Sequence, residues 1–410
     1  MSKAWYKKIG PGIVIAATGI GAGDLVAASV VGAKYGTVIL WSVLFGGIIK
    51  YTLNEGIARW QLATGETIVE AIKNRFHRFF SIYFLIYLLI WSFVVGAAMS
   101  GATGLAAHAM APQLSVAWWG VIHAFVALAF VFWANYRWLE MGMKFFIALM
   151  FAVVIINAFM ISPNWESILT GLLTPSIPEA SVTLLLGVIG GVGGSVTLLS
   201  YGYWIREKGL SKASDFKLIK IDLGIAYFLT VLFGIAIVIL SAELKPELME
   251  GNQMVLALAD KIGETTGASG KWIFMIGFWG AVFSSMLGVW QGIPYLFSDF
   301  VKSAKVDNHK NGYFYRISQN KKQSYRLFLI YLAVLPLILL FTNKPVWIIV
   351  TYAVIGSFFM PFLAVALLFL NNQRRLLTKL YNRWYVNGLL IIALLVFGVL
   401  LYFEIVRRFF

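Results

Sequence analysis

The sequence predicts an all-α polytopic membrane protein, and three observations predict it. Of 410 residues, 60% are hydrophobic and only 12% charged, with a mean hydropathy of +0.81; a soluble domain carries about 25% charged residues. The apolar residues gather into segments long enough to cross a bilayer, which takes about 20 residues each. The basic residues behind the formal net charge of +15 sit in the loops between those segments. That distribution serves membrane orientation and gives no reason to expect a nucleic-acid partner. With no cysteine, the chain has no disulfide framework and no thiolate metal site.

Eleven spans are expected, near 10–34, 37–62, 79–106, 114–134, 140–162, 181–204, 219–242, 271–300, 324–342, 345–370 and 384–404. "MSKAWYKKIGPG" leads directly into the first, which reads as a retained anchor. Lys and Arg mark the cytoplasmic side. They fill one alternate set of loops: Lys3, Lys7 and Lys8, then Lys73 to Arg78, Arg137, Arg206 to Lys220, a run from Lys302 to Arg326, and Arg374 to Arg383. "APQLS" and "SPNWESILTGLLTPSIPEAS", on the other side, hold none. The N-terminus is therefore expected in the cytoplasm of a cell with this protein in its plasma membrane, and the C-terminus outside, with Arg407 and Arg408 against the rule. The stretch 243–270 is expected as an external loop with its own helix.

Two spans break the apolar pattern. The first contains "TGIGAGDLVA", from Thr18 to Ala27, where three glycines flank Asp24. Glycine costs about 1 kcal/mol per helical position, and a charge at the bilayer centre about 2.5–3.5 kcal/mol on insertion scales. The sixth contains "GVIGGVGGSVTLLSYG", from Gly187 to Gly202, with six glycines and no charge. Paired interruptions in two halves of opposite direction point to a transporter whose site lies at the midplane between broken helices. Unwound backbone is tolerated at that depth where it lines a cavity or is buried in protein. Small residues also let membrane helices pack closely, so the glycines alone leave both readings open; Asp24 favours a substrate or coupling-ion site.

At these residues the chain resembles the Nramp family of divalent metal transporters. "GPGIVIAATGIGAGDLVAASVVGAKYG" is similar to the family's first span, which carries the metal-binding sequence DPGN, and "ARWQLATGETIVEA" to the end of its second. "IKIDLGIAYFLTVLF", "SSMLGVWQGIPYLFSDF" and "LLFLNNQRRLLTKLYNRWYVNGLLIIALLV" resemble later spans. The resemblance implies a LeuT-type fold: a first five-span repeat over 1–162, a second, inverted repeat over 181–370, and an eleventh span with its tail over 384–410.

The functional motifs differ from the family's. Gly21-Ala22-Gly23-Asp24 stands where the family has DPGN, and Ser195-Val196-Thr197 where its sixth span has methionine and histidine. Ala98 and Gly101 align with acidic positions of its proton relay, so tight proton coupling is not expected. The inferred binding set is Asp24 with the hydroxyls of Ser195 and Thr197 and backbone carbonyls near Gly21 and Gly193. These are hard oxygen donors, suited to Mg or Mn rather than softer metals.

Glu55, Gln291 and Asp222 are further candidates for the cavity or path. Glu55 is equally readable as a partner of Arg59 four residues on, Gln291 as an interhelical hydrogen bond, and Asp222 as an interfacial group. His123 reads as a packing histidine. The expected function is secondary-active transport of a hard divalent cation by alternating access, with the metal ion and the lipid bilayer as partners and no cofactor besides the transported ion. A sodium-coupled transporter of a small organic solute and a non-transporting sensor or scaffold remain alternatives. The oligomeric state is open, and a monomer is compatible with the sequence.

Overall fold

Helices dominate the described residues because a backbone in lipid must satisfy its own hydrogen bonds. The computed structural model describes residues 10–21, 23–133, 136–160, 163–179, 181–191, 193–244, 254–302 and 321–409. The side chain of Asp24 lies outside the described part, as do Lys3, Lys7 and Lys8 and most of the expected basic run from Lys302 to Arg326. Among the described residues there is no strand.

The first crossing is made of α1 (Pro11–Gly19), a π-helical turn at Gly23–Ala27 and α2 (Ala28–Tyr35). Then come α3 (Leu40–Thr64), a short α4 (Ile68–Arg75), α5 (Arg78–Met110), α6 (Val116–Trp133), α7 (Tyr136–Met160) and the short α8 (Trp165–Leu173). The sixth crossing is α9 (Val182–Gly191), a 3-10 turn at Val196–Ser200 and α10 (Tyr201–Glu207). It is followed by α11 (Phe216–Leu244) and α12 (Met254–Lys302). Helical segments over Lys321–Val334, Pro345–Ser357, Phe359–Asn371 and Trp384–Phe409 complete the bundle.

Ten helical stretches among the described residues are long and apolar enough to cross a membrane. The difference from eleven lies in the first crossing: its halves are short, and its second half runs on into the second crossing as one stretch, Leu25–Thr64. The eighth span is longer than expected. The external helix anticipated within 243–270 continues into it through a kink at Gly267, whose φ is 77°.

Trp60, Trp91, Trp204 and Trp290 are fully buried at the centre of the bundle, while Trp133 and Trp384 lie exposed on its outside. At the ends, local signals hold. Thr67 caps α4 by accepting from the Glu70 backbone N–H at 3.1 Å, and the Glu70 carboxylate accepts from the Thr67 N–H at 2.8 Å.

Both breaks have identifiable backbone causes. Helix α9 stops where Gly193 and Gly194 adopt φ of 74° and 84°, a conformation glycine reaches without the penalty a Cβ brings. Helix α1 stops against that point. A Cβ placed on Gly19 would stand 2.5 Å from the Cα and carbonyl carbon of Gly193. The two interruptions, some 170 residues apart in sequence, therefore touch backbone to backbone.

Gly19→Ala should force these breaks apart and lower the unfolding free energy by about 1–3 kcal/mol, the usual cost of overpacking. Gly224→Ala is the control, because a methyl there meets nothing within 4 Å. Thermal unfolding of both variants in one detergent checks this; equal melting temperatures would contradict the contact.

Candidate functional site in the broken spans

Where the two breaks meet, the chain leaves regular α-helix between α1 and α2 and between α9 and α10, and helix ends leave carbonyls in need of partners. The carbonyl of Thr18, in the last turn of α1, accepts from the hydroxyl of Ser285 on α12 at 2.6 Å. Ser285 stands hard against the break, since a Cβ on Gly21 would lie 2.3 Å from its Oγ. Asp24 belongs to the π-helical turn Gly23–Ala27, and such turns recur at functional sites.

The sixth span contributes hydroxyls. Ser195 and Ser200 are fully buried and Thr197 nearly so, yet Ser195 Oγ, Thr197 Oγ1 and Ser200 Oγ have no hydrogen-bond partner in the structure. A buried polar group without a partner costs about 1–3 kcal/mol. Three within six residues, directly after a helix break, are open to hydrogen bonds from a ligand, an ion or ordered water. The indole Nε1 of Trp91 is also without a partner. It and Ser195 Oγ lie 3.3 and 2.7 Å from where a Cβ on Gly356 would stand, so the two converge on one point.

The remaining sequence candidates have partners. Asp222 is 1% exposed and accepts from the backbone N–H of Gly10 at 3.1 Å and of Gly12 at 2.6 Å. Tyr201 donates its hydroxyl to the same carboxylate at 3.1 Å. Asp222 thus caps the N-terminus of α1, where backbone donors and the helix dipole both favour a negative charge. Beside it, Glu140 pairs with Lys144 at 2.6 Å and Lys208 at 2.7 Å.

Glu55 is bound to Arg59, whose guanidinium also donates to the Tyr381 carbonyl at 3.0 Å and to Asn382 Oδ1 at 3.2 Å. Gln291 accepts from Trp204 Nε1 at 2.6 Å, tying α12 to α10. His123 sits between the Trp119 carbonyl at 2.7 Å and Trp279 Nε1 at 2.9 Å. The indole N–H can only donate, so His123 Nε2 accepts and Nδ1 carries the proton: a neutral packing histidine.

Two polar groups beside the break were missed by sequence reasoning. Lys50, on α3, is fully buried and its ammonium donates to the Gly190 carbonyl at 2.9 Å. One turn on, Asn54 Nδ2 donates to Tyr227 Oη at 2.7 Å. The rule that an intramembrane charge marks function singles out Lys50 as readily as Asp24. Among the described residues, no group of three or more His, Asp or Glu side chains could hold a metal. The described oxygen groups at the break are hydroxyls and carbonyls.

A bundle of membrane-spanning helices in which two glycine-broken spans meet is the architecture of broken-helix secondary transporters. The solved structure of a manganese transporter from Eremococcus coleocola, with an aromatic bis-isothiourea compound bound, superposes with a TM-score of 0.74 over 98% of this chain and 87% of that one, at 14% identity. MhsT in complex with L-phenylalanine shares the LeuT fold more distantly, with a TM-score of 0.53 over 94% of this chain and 97% of that one, at 13% identity. The natural resistance-associated macrophage protein-like family, Nramp, matches residues 12–407, and the chain belongs to it. Nramp proteins are membrane transporters and not enzymes. The divalent metal cation transporter MntH of Verminephrobacter eiseniae is 23% identical over 69% of this chain, and the match spans 66% of that relative's length.

Asp222→Ala should uncap α1 and lower the unfolding free energy by about 1–3 kcal/mol. Tyr201→Phe should cost less, and the double variant should fall short of the sum, because both act through one carboxylate. A denaturation cycle on the four proteins checks this; strict additivity would break the assignment.

Proposed function

We propose that this chain is a secondary-active transporter that moves a hard divalent cation, of the Mg or Mn class, across the cell membrane by alternating access about the two breaks. The observation that carries the reading is the set of buried, unpartnered hydroxyls of Ser195 and Thr197 directly after the sixth-span break, which abuts the first. Asp24 supplies the only carboxylate of the glycine break "GIGAGD", and backbone oxygens near Gly21 and Gly193 complete an oxygen-only donor set. Such a set suits Mg or Mn, whereas thioether and thiolate ligands select softer metals. The names of the Verminephrobacter relative and the Eremococcus structure, a divalent metal cation transporter and a manganese transporter, support the substrate class. The alternating basic loops support an N-terminus on the cytoplasmic side.

Calorimetry of the purified protein with Mn²⁺, Mg²⁺ and Cd²⁺ tests this. Asp24→Asn should weaken Mn²⁺ binding at least tenfold, about 1.4 kcal/mol, and Ser195→Met should shift preference toward Cd²⁺ by restoring a soft ligand. Unchanged affinity in Asp24→Asn would move the site elsewhere. Binding of an organic amine with no cation bound would replace the reading with solute transport.

A further inference from the structure

The helices over Phe359–Asn371 and Trp384–Phe409 are joined by a link over 372–383 that carries Arg374, Arg375, Lys379 and Arg383 and no acidic residue. The sequence has no Asp or Glu anywhere between 308 and 403. All four cations are exposed, and none of them forms an ion pair among the described residues. Arg374 stacks on Tyr381, its guanidinium 5.0 Å from the ring centroid.

A loop whose charge serves only to orient the chain needs no fixed shape. This one is pinned. Leu377 is fully buried and Asn382 nearly so. Arg59 of α3 donates to the Tyr381 carbonyl at 3.0 Å and to Asn382 Oδ1 at 3.2 Å. Asn371 Nδ2 donates to the Gly56 carbonyl of the same helix at 3.0 Å, and the Asn382 N–H to the Asn371 carbonyl at 2.9 Å. Asn372 and Asn387 close the ends of the link by exchanging side-chain hydrogen bonds at 3.1 and 2.9 Å. Thr378 holds a φ of 48°, a region a β-branched residue rarely enters, so these contacts and not local preference set the turn.

The surroundings say what such a fixed cluster of cations meets. Trp384 is 85% exposed and opens the next helix beside the exposed Tyr385. Trp and Tyr gather at the level of lipid headgroups. Leu376 and, one turn before the link, Phe369 are exposed as well. Phe76 packs on Phe369 with ring centroids 5.1 Å apart, which brings the exposed Arg78 and Phe79 at the start of α5 to the same border. A free phosphate would gain nothing from the apolar neighbours. An amphipathic partner with an anionic head and a hydrocarbon body fits both halves of the surface.

We propose that the 372–383 link is a binding site for acidic phospholipids. Arg375, Lys379 and Arg383 meet the phosphate headgroup, and Trp384 lies against the start of the acyl chains. Guanidinium groups donate to phosphate in a planar fork, and basic residues beside a membrane span attract anionic lipid. The inference goes beyond the transport reading and does not rest on it. Arg59 moors the link to α3, whose Gln61 donates to the Gly202 carbonyl of the sixth span at 2.6 Å. A bound lipid is thereby connected to the helix that braces the broken span.

Native mass spectrometry of the full chain with phosphatidylglycerol and with phosphatidylcholine tests this. Wild type should bind phosphatidylglycerol at least tenfold more tightly than phosphatidylcholine. Arg375→Gln/Lys379→Gln/Arg383→Gln should abolish that preference, and Arg375→Lys/Arg383→Lys, which keeps the charge, should retain most of it. Arg375→Gln alone should show a smaller loss in the same direction, which keeps the test decisive should the triple variant unfold. Lys212→Gln/Lys217→Gln/Lys344→Gln removes as much charge from other loops and should leave binding unchanged. Equal affinity for the two lipids in wild type would overturn the proposal. So would an equal loss in the lysine control, because the attraction would then be diffuse. Displacement of phosphatidylglycerol by inorganic phosphate at matched concentration would overturn it too, in favour of a soluble anion.

Discussion

The contact between Gly19 and Gly193 is the constraint on which the remaining architecture depends. Two unwound backbones approach more closely than any Cβ permits, and each must find hydrogen-bond partners that a helix would have supplied internally. The surrounding helices provide them from both sides. Asp222 fixes the start of α1 through the Gly10 and Gly12 N–H groups, and Ser285 fixes its end through the Thr18 carbonyl. Lys50 and Gln61 do the corresponding work for the sixth span. Each broken span is therefore held at two points by neighbouring helices, the first by α11 and α12 and the sixth by α3.

Two sets of buried polar side chains stand apart physically. Asp222, Arg59 with Glu55, Gln291 and His123 each have a partner on another element, although Glu55 Oε2 and Arg59 Nε have none. Ser195, Thr197 and Ser200 are buried without partners, within a few residues of the break. The first group stabilises a fold in a solvent that offers no hydrogen bonds. The second carries a standing energetic cost that only a bound species, or water in its place, relieves. The proposed site rests on that difference together with the carboxylate of Asp24.

Much of this was legible in the chain itself, for local reasons. Span positions follow from runs of apolar residues, and both breaks follow from glycines placed where a helix would not choose them, as at "GIGAG" and "GGVGGS". Partners were less legible because they are distant. Asp222 meets Gly12 across 210 residues, and no spacing rule reports such a contact. The Glu55–Arg59 pair lies on one helix at four-residue spacing, and there the sequence offered the correct alternative. Lys50 was lost for a different reason: in "FGGIIKYTLNEG" a single lysine barely lowers the hydropathy of its span. The eighth span extended past its expected start because Gly267 absorbs a kink that composition cannot distinguish from a helix end.

The central claim is that the two breaks together form one cation site. Anomalous diffraction from crystals of the protein grown with Mn²⁺ tests it most directly. The account predicts a single strong peak within about 2.0–2.6 Å of oxygen atoms, the range for hard cations on oxygen ligands, contributed by both the Gly21–Asp24 segment and the Gly193–Thr197 segment. A strong peak confined to the basic end of the bundle, beside Asp222 and Glu140, with none between the breaks would contradict it.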